Sequence, residues 1–140
     1  MTYLLIIQAQ QPSWVQVGAL KTRLFTPGYY LYIGSAKRGL KARIARHRRP
    51  DKKRRWHIDY LLSRPEFTVR AVWLSESMPE CTLADTLRAR PEMSIPQPGL
   101  GASDCRCPAH LLAYTGDLPL LHNLLKNLGL YLYCGSEGCL

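Results

Sequence analysis

The sequence predicts an α+β domain: a small three-stranded sheet flanked by helices, with short extra strands and a C-terminal helix. Three observations carry that prediction. Continuous apolar runs at 2–8 and 29–33 have the length of strands and fall short of helices. From Leu40 the apolar spacing changes to the period of a helix. A chain of 140 residues that is 46% apolar and 21% charged has the balance of one globular domain with a sizeable core. No apolar run approaches the roughly 20 residues of a membrane span. The N-terminal MTYLLIIQ lacks both the basic segment and the small-residue cleavage site of a secretory leader. Five cysteines, an odd number, fit free thiols or a metal site better than a disulfide framework. The expectation is a cytoplasmic protein.

Taken in order, Thr2 to Gln8 reads as a central strand covered on both faces. Pro12 marks a turn before a second strand at 14–17, and 20–26 carries no pattern. Pro27-Gly28 leads into the third strand, Tyr29-Tyr30-Leu31-Tyr32-Ile33, closed by Gly34. After a turn at Ser35 and Gly39, Leu40, Arg43, Ile44 and His47 stand at i, i+3, i+4 and i+7, one stripe of a helix. Leu40 and Ile44 aim that stripe at the sheet and carry Arg43 and His47 toward the tyrosines at the strand end. A short helix follows at 56–62, with Ile58, Leu61 and Leu62 inward and Pro65 at its end. Phe67, Val69, Ala71 and Trp73 alternate as a strand.

Ser77 and Glu80 have the spacing of a capping box and open another helix, stopped by Pro91. Cys81, Leu83, Ala84 and Leu87 form its inner face. Residues 91–101 read as loop, 103–110 as a compact polar cluster and 111–114 as a short strand. Leu121, Leu124, Leu125 and Leu128 share one face of a helix over 118–128, closed by Gly129 and available to a protein partner or a second copy of the chain. A strand is expected at 130–133 and a disordered tail at 135–140. The expected division is a domain at 1–114, with a helix and tail at 115–140.

Charge is localised. Eleven of the nineteen Lys and Arg residues lie between Lys37 and Arg55, with one acid, Asp51, which leaves eight basic and nine acidic residues elsewhere. A patch that dense usually meets a polyanion, and nucleic acid is the commonest. Lys37, Lys41, Arg46, Arg48, Arg49, Lys52, Lys53, Arg54 and Arg55 are the candidates for backbone contacts. A solvated basic helix, or a patch for anionic lipid, is the plainer alternative.

Tyr32-Ile33-Gly34, followed by Ser35-Ala36-Lys37 and by Arg43 and His47 on a helix, resembles the second half of the motif that names the GIY-YIG nuclease superfamily. Met1-Thr2-Tyr3 resembles the first half, with threonine where the family has an aliphatic residue. Gly28-Tyr29-Tyr30 is a rival, but it shares a strand with Tyr32, and the family sets its two tyrosines on neighbouring strands. The tail pattern of Gly101, Ser103-Asp104-Cys105, Cys107 and His110, together with RHRR and WHIDYL, is similar to a branch of that superfamily. Some members of that branch are joined to DNA-repair glycosylase domains. The resemblance covers roughly Thr2 to Tyr114.

It implies a three-stranded sheet surrounded by helices and a Mg²⁺- or Mn²⁺-dependent DNA endonuclease, working in repair or processing. Glu80 would hold the cation. Tyr3 and Tyr32 would be the catalytic tyrosines, one taking the proton of the attacking water. Arg43 would bind phosphate in two places, His47 would assist, and His57 stands where some members have a further catalytic histidine.

Each assignment has a plainer counterpart. Arg43 can lay its stem over the sheet, and His47 can serve as a cation at a helix C-terminus. His57 can pack beside Trp56, and Glu80 can simply complete the capping box. Cys105, Cys107 and His110, with Cys81, are zinc-ligand types, but a one-residue gap is tighter than usual and the fourth ligand is distant. The preferred reading makes the cysteines small apolar fillers around a buried Asp104. A module that binds nucleic acid without cutting it is the functional alternative.

Overall fold

The computed structural model describes residues 1–134; the tail expected at 135–140 lies outside them. The elements are β1 (Thr2–Ala9), β2 (Ser13–Val15), β3 (Arg23–Phe25), β4 (Gly28–Ser35), α1 (Leu40–Arg48), α2 (Asp59–Leu62), β5 (Phe67–Ser75), α3 (Glu80–Arg88), β6 (Met93–Ser94), β7 (Leu111–Tyr114), α4 (Leu118–Asn127) and β8 (Tyr131–Leu132). The chain is α+β, with a six-stranded antiparallel sheet in the order β6-β7-β4-β1-β5-β8 rather than a sheet of three strands.

The discrepancy has a physical reason. The strand expected at 14–17 pairs instead with β3, drawn from the unpatterned 20–26, in a separate two-stranded ribbon. Only its inward residues, Ser13 and Val15, are buried, and Trp14 is exposed. So short a one-sided strand cannot form the middle of a sheet. The place beside β1 goes to β5, nine residues long and buried over most of its length.

The sheet is covered on both faces, as the uninterrupted apolar run of β1 demands. Tyr3, Leu5 and Ile7 face one core with Tyr32, Ile44, Ile58, Leu61 and Phe25. Leu4 and Ile6 face the other with Leu31, Ile33, Leu83, Leu87, Leu121 and Leu125. Each fully buried Leu or Ile contributes about 1.5–3 kcal/mol, so this two-sided burial dominates the stability of the fold. α4 spends its leucine face here: Leu121 and Leu125 are completely buried. The surface expected for a partner is thus turned against the sheet. Asp117 caps this helix by accepting the Leu120 N–H at 2.8 Å.

The helix at 80 starts differently from expectation. Pro79 is its N-cap residue and no side chain caps it. The hydroxyl of Ser75, and not Ser77, accepts the Met78 N–H at 3.0 Å. Glu80 is therefore the first helical residue and is released from capping. Among the described residues, no helix is long and apolar enough to cross a membrane.

Candidate active site

β1 and β4 run antiparallel, which pairs Tyr3 with Gly34 and Leu5 with Tyr32. Tyr3 and Tyr32 thus project from the same face of neighbouring strands, their ring centroids 6.4 Å apart. Gly34 is required by this contact, because a Cβ there would lie 2.7 Å from the Tyr3 Cζ and hydroxyl. Gly101 does the same for Tyr32: a Cβ would sit 3.0 Å from the ring, at a φ of +76° that also favours glycine. Each tyrosine lies against bare backbone. The rival Tyr30 is structural; its hydroxyl donates to the Thr26 carbonyl at 2.6 Å and its ring packs on Phe25 and Phe67.

α1 carries the next layer. His47 is fully buried behind Tyr3, with Nε2 2.7 Å from the phenol oxygen, and does not reach the cavity itself. Burial lowers its pKa to about 4, helped by Lys52, Arg46 and Arg43 and opposed by Asp59. Burial favours the neutral imidazole, and its Nε2 shares a hydrogen bond with the Tyr3 hydroxyl. Burial pushes Tyr3 up to about 12 despite the lowering effect of Arg43, and pushes Tyr32 well above the usual phenol range. Neither phenol is ionised at rest.

Arg43 donates to the Ser35 carbonyl at 2.8 Å and lies 4.8 Å above the Trp56 ring. Trp56 is fixed by Asp59, a fully buried carboxylate that accepts the Arg55 and Trp56 N–H groups at 2.8 and 2.9 Å and a fork from Arg46 at 2.9–3.0 Å. Burial alone would raise its pKa; these donors outweigh that and hold it below the usual carboxylate range.

Tyr3, Tyr32, Arg43, Arg55, His57 and Glu80 line one cavity of about 470 Å³. Glu80 enters it from the far side, with Oε1 accepting from the Ser35 hydroxyl at 3.2 Å and Oε2 3.4 Å from His110 Nδ1. The second of these is an ion contact too loosely aligned to count as a hydrogen bond. A carboxylate with no cap to hold, 36% exposed to a polar hollow, fits a hard divalent cation that keeps several waters. His57 reaches the cavity too, but its Nδ1 accepts the Gly101 N–H at 3.0 Å, so it also anchors the opposite loop.

That loop differs from expectation. Asp104 is exposed and organises nothing. Instead Cys81, Cys105, Cys107 and His110 bring one ligand atom each to within 4.8 Å of one another. All three cysteines are free thiols, whereas Cys134 is disulfide-bonded. Burial and the neighbouring thiols push Cys107 up to about 12, the wrong direction for a nucleophile.

The basic segment divides in two. Arg46 is committed to Asp59 and to the Lys53 carbonyl, Lys52 donates to the Arg46 and His47 carbonyls at the end of α1, and Arg48 points its guanidinium toward the Val69 carbonyl at 3.4 Å. These three, expected on nucleic acid, hold the fold. Lys37, Lys41, Arg49, Lys53, Arg54 and Arg55 are exposed. Arg55 lines both the cavity and an adjoining cleft of about 340 Å³ that contains Arg49 and Lys53, so a basic track leads outward from the hollow.

Sequence reasoning passed over Ser35 as a partner of Glu80, and Gly101 as the seat of Tyr32. Ser35 carried a signal, since it directly follows the YIG triplet; Gly101 stood in a loop whose path no periodicity reveals.

The chain belongs to the family described as "Domain of unknown function DUF123", whose model matches residues 2–129. No curated protein and no solved structure matches it.

Proposed function

We propose that this protein is a metal-dependent DNA endonuclease of the GIY-YIG type, hydrolysing phosphodiester bonds during DNA repair or processing. The observation that carries the reading is the convergence of Tyr3, Tyr32, Arg43 and Glu80, distant in sequence, on one wet cavity beside a basic track. Glu80 would hold a Mg²⁺ or Mn²⁺ ion, with Ser35 steadying its carboxylate. Such an ion supplies charge stabilisation to a phosphoryl oxygen and to the departing oxygen.

The remaining chemistry belongs to the chain. Arg43, held by the Ser35 carbonyl and the Trp56 ring beside Tyr3, would present its guanidinium to the phosphate. With the His47 proton on Nδ1, the Tyr3 hydroxyl would donate to Nε2, which leaves its oxygen lone pairs as acceptors for a water proton. As that proton arrives, the phenol proton passes to His47 Nε2, and the water oxygen is left as nucleophile. The phenol stays neutral through this relay and the charge falls on His47, whose cation burial disfavours and Asp59 favours. Tyr32, packed at the ring of Tyr3, excludes bulk water and fixes that ring.

The test is nicking of supercoiled plasmid and of branched duplexes with Mg²⁺ or Mn²⁺. Glu80→Gln should lower the rate by roughly 10³-fold while leaving metal-free DNA binding unchanged. A wild-type chain that binds DNA but cuts none of these substrates would make the protein a binding module.

A further inference from the structure

We propose that Cys81, Cys105, Cys107 and His110 bind one zinc ion that fastens the start of α3 to the 103–110 segment. The site adjoins the cation expected at Glu80, through His110, but does not depend on the nuclease reading.

The geometry is that of a tetrahedral site before its ion is added. Zinc holds thiolate sulfur at about 2.3 Å and imidazole nitrogen at about 2.0 Å, so tetrahedral ligands stand roughly 3.5–3.8 Å apart. His110 Nε2 is 3.7 Å from Cys81 Sγ and 3.5 Å from Cys105 Sγ, and no pair among the four ligand atoms exceeds 4.8 Å. A common centre is reached by shifts of about an ångström.

The elements reach this arrangement by independent routes. Cys81 is set by the first turn of α3. His110 is 2% exposed and locked on both sides by backbone, its N–H donating to the Leu100 carbonyl and its carbonyl accepting the Ile33 N–H. The one-residue gap between Cys105 and Cys107 is accommodated because both sit in a run of turns, not on a helix. The donor set is soft, three thiols and an imidazole, which selects zinc over the hard cations that suit a carboxylate.

The second shell agrees. His110 turns Nε2 to the sulfurs and Nδ1 toward Glu80 Oε2 at 3.4 Å. A ligating histidine whose other nitrogen faces a carboxylate is the usual arrangement at zinc, and Nδ1 has no hydrogen-bond partner among the described residues.

The consequence is mechanical. Gly101, Ser103, Asp104 and Cys105 form one wall of the cavity, in a segment that carries no regular secondary structure. Zinc would brace that wall and, through His110, the position of Glu80.

The full chain, purified under reducing conditions from zinc-supplemented cells, should contain about one zinc per molecule by elemental analysis. Stripping it with a strong chelator should lower Tm by about 10 °C or more. Cobalt(II) titrated into stripped protein should give a thiolate charge-transfer band and the intense visible bands of a tetrahedral centre, lost in Cys105→Ser and in His110→Ala. Where a variant fails to fold, competition of zinc against cobalt in the wild type gives the same information. Zinc-free protein with no tetrahedral cobalt spectrum overturns the proposal, as does a spectrum unchanged in Cys105→Ser. Arg43→Ala, which alters the proposed phosphate contact and touches no zinc ligand, should keep its zinc, which separates this site from the hydrolytic one.

Discussion

The two walls of the cavity are built in opposite ways. One is made of strands and rings: Tyr3 and Tyr32 on adjacent strands, His47 behind them, Trp56 stacked beyond His47 at 5.6 Å between centroids. Every member is packed against another, and a 2.7 Å hydrogen bond ties Tyr3 to His47 across 44 residues. In the opposite wall, Gly101 and His110 pin the ends of the 101–110 segment by backbone bonds, but the stretch between them is irregular and Glu80 itself rests on looser contacts at 3.2 and 3.4 Å. The difference teaches where each kind of chemistry can reside. Groups that must keep an unfavourable protonation state need a rigid, dry surround. A group that exchanges a hydrated cation needs water and room.

The packed wall should break most sharply at Asp59. This carboxylate is buried without exposure, and it alone joins Arg46 to the amides of Arg55 and Trp56. Removing one partner of a buried pair leaves the other charge unsatisfied. Asp59→Ala is expected to cost about 3–5 kcal/mol of stability. Chemical denaturation of the variant and wild type measures it. By contrast, Asp104→Ala in the loop wall should fall within about 0.5 kcal/mol, since Asp104 is exposed and makes no hydrogen bond or ion pair among the described residues. Equal losses at the two sites would erase the contrast between the walls.

A smaller effect tests whether the packed wall really holds His47 neutral. Its pKa is about 4 in the fold against an ordinary 6.5. The unfolded chain therefore takes up the proton first as pH falls. The stability this residue contributes is complete above about pH 6.5, declines through the interval, and is fully lost below about 4. At pH 5 the loss is about 2 kcal/mol, from 1.36 kcal/mol per pH unit. Tyr3, Lys52, Asp59, Arg46 and Arg43 all face this imidazole, and of these Asp59 alone opposes the shift. His47→Gln keeps an acceptor for the Tyr3 hydroxyl but cannot titrate. Urea unfolding at pH 7 and pH 5 should show the wild type losing about 2 kcal/mol more than the variant. An identical loss in both would mean that the imidazole is not desolvated.

The same contrast governs how much was legible in the sequence. Arg43 was readable because the i, i+3, i+4, i+7 stripe fixes where side chains point before any tertiary contact is known, whereas Tyr3 and Tyr32 stood out by the resemblance of their motif halves and not by any period. Periodicity also put His47 inside, though not its distance from the surface: the stripe reads the same for a phosphate contact and for a residue sealed behind a tyrosine. Residues 101–110 have no period, so their meeting with Cys81 is set by β7 pairing with β4, whose partners lie 79 to 85 residues away in sequence. Sequence spacing argued against a zinc cluster because it measures separation along the chain, and the ligands close up across it. The capping box failed for a related reason. Ser77 and Glu80 had the right interval, but Pro79 fixed the entry of the helix and Ser75 took the amide.

The mildest test concerns the track that leaves the cavity. Arg46 and Lys52 line its cleft but are spent on the fold, whereas Arg49 and Lys53 are exposed there with no side-chain partner among the described residues. If this cleft follows a nucleic-acid backbone, Arg49→Ala with Lys53→Ala removes about two phosphate contacts. The slope of log K against log salt should then become shallower by roughly 1.8. Affinity at low salt should fall by a similar factor on every duplex, because phosphate contacts carry no sequence information. Binding measured across a salt series gives both quantities. The nicking rate at saturating DNA should be unchanged, since neither residue reaches the hollow. A pair of substitutions that slowed cutting at saturation but left the salt slope alone would put the backbone on another path, and would make the basic segment part of the packed wall instead of its approach.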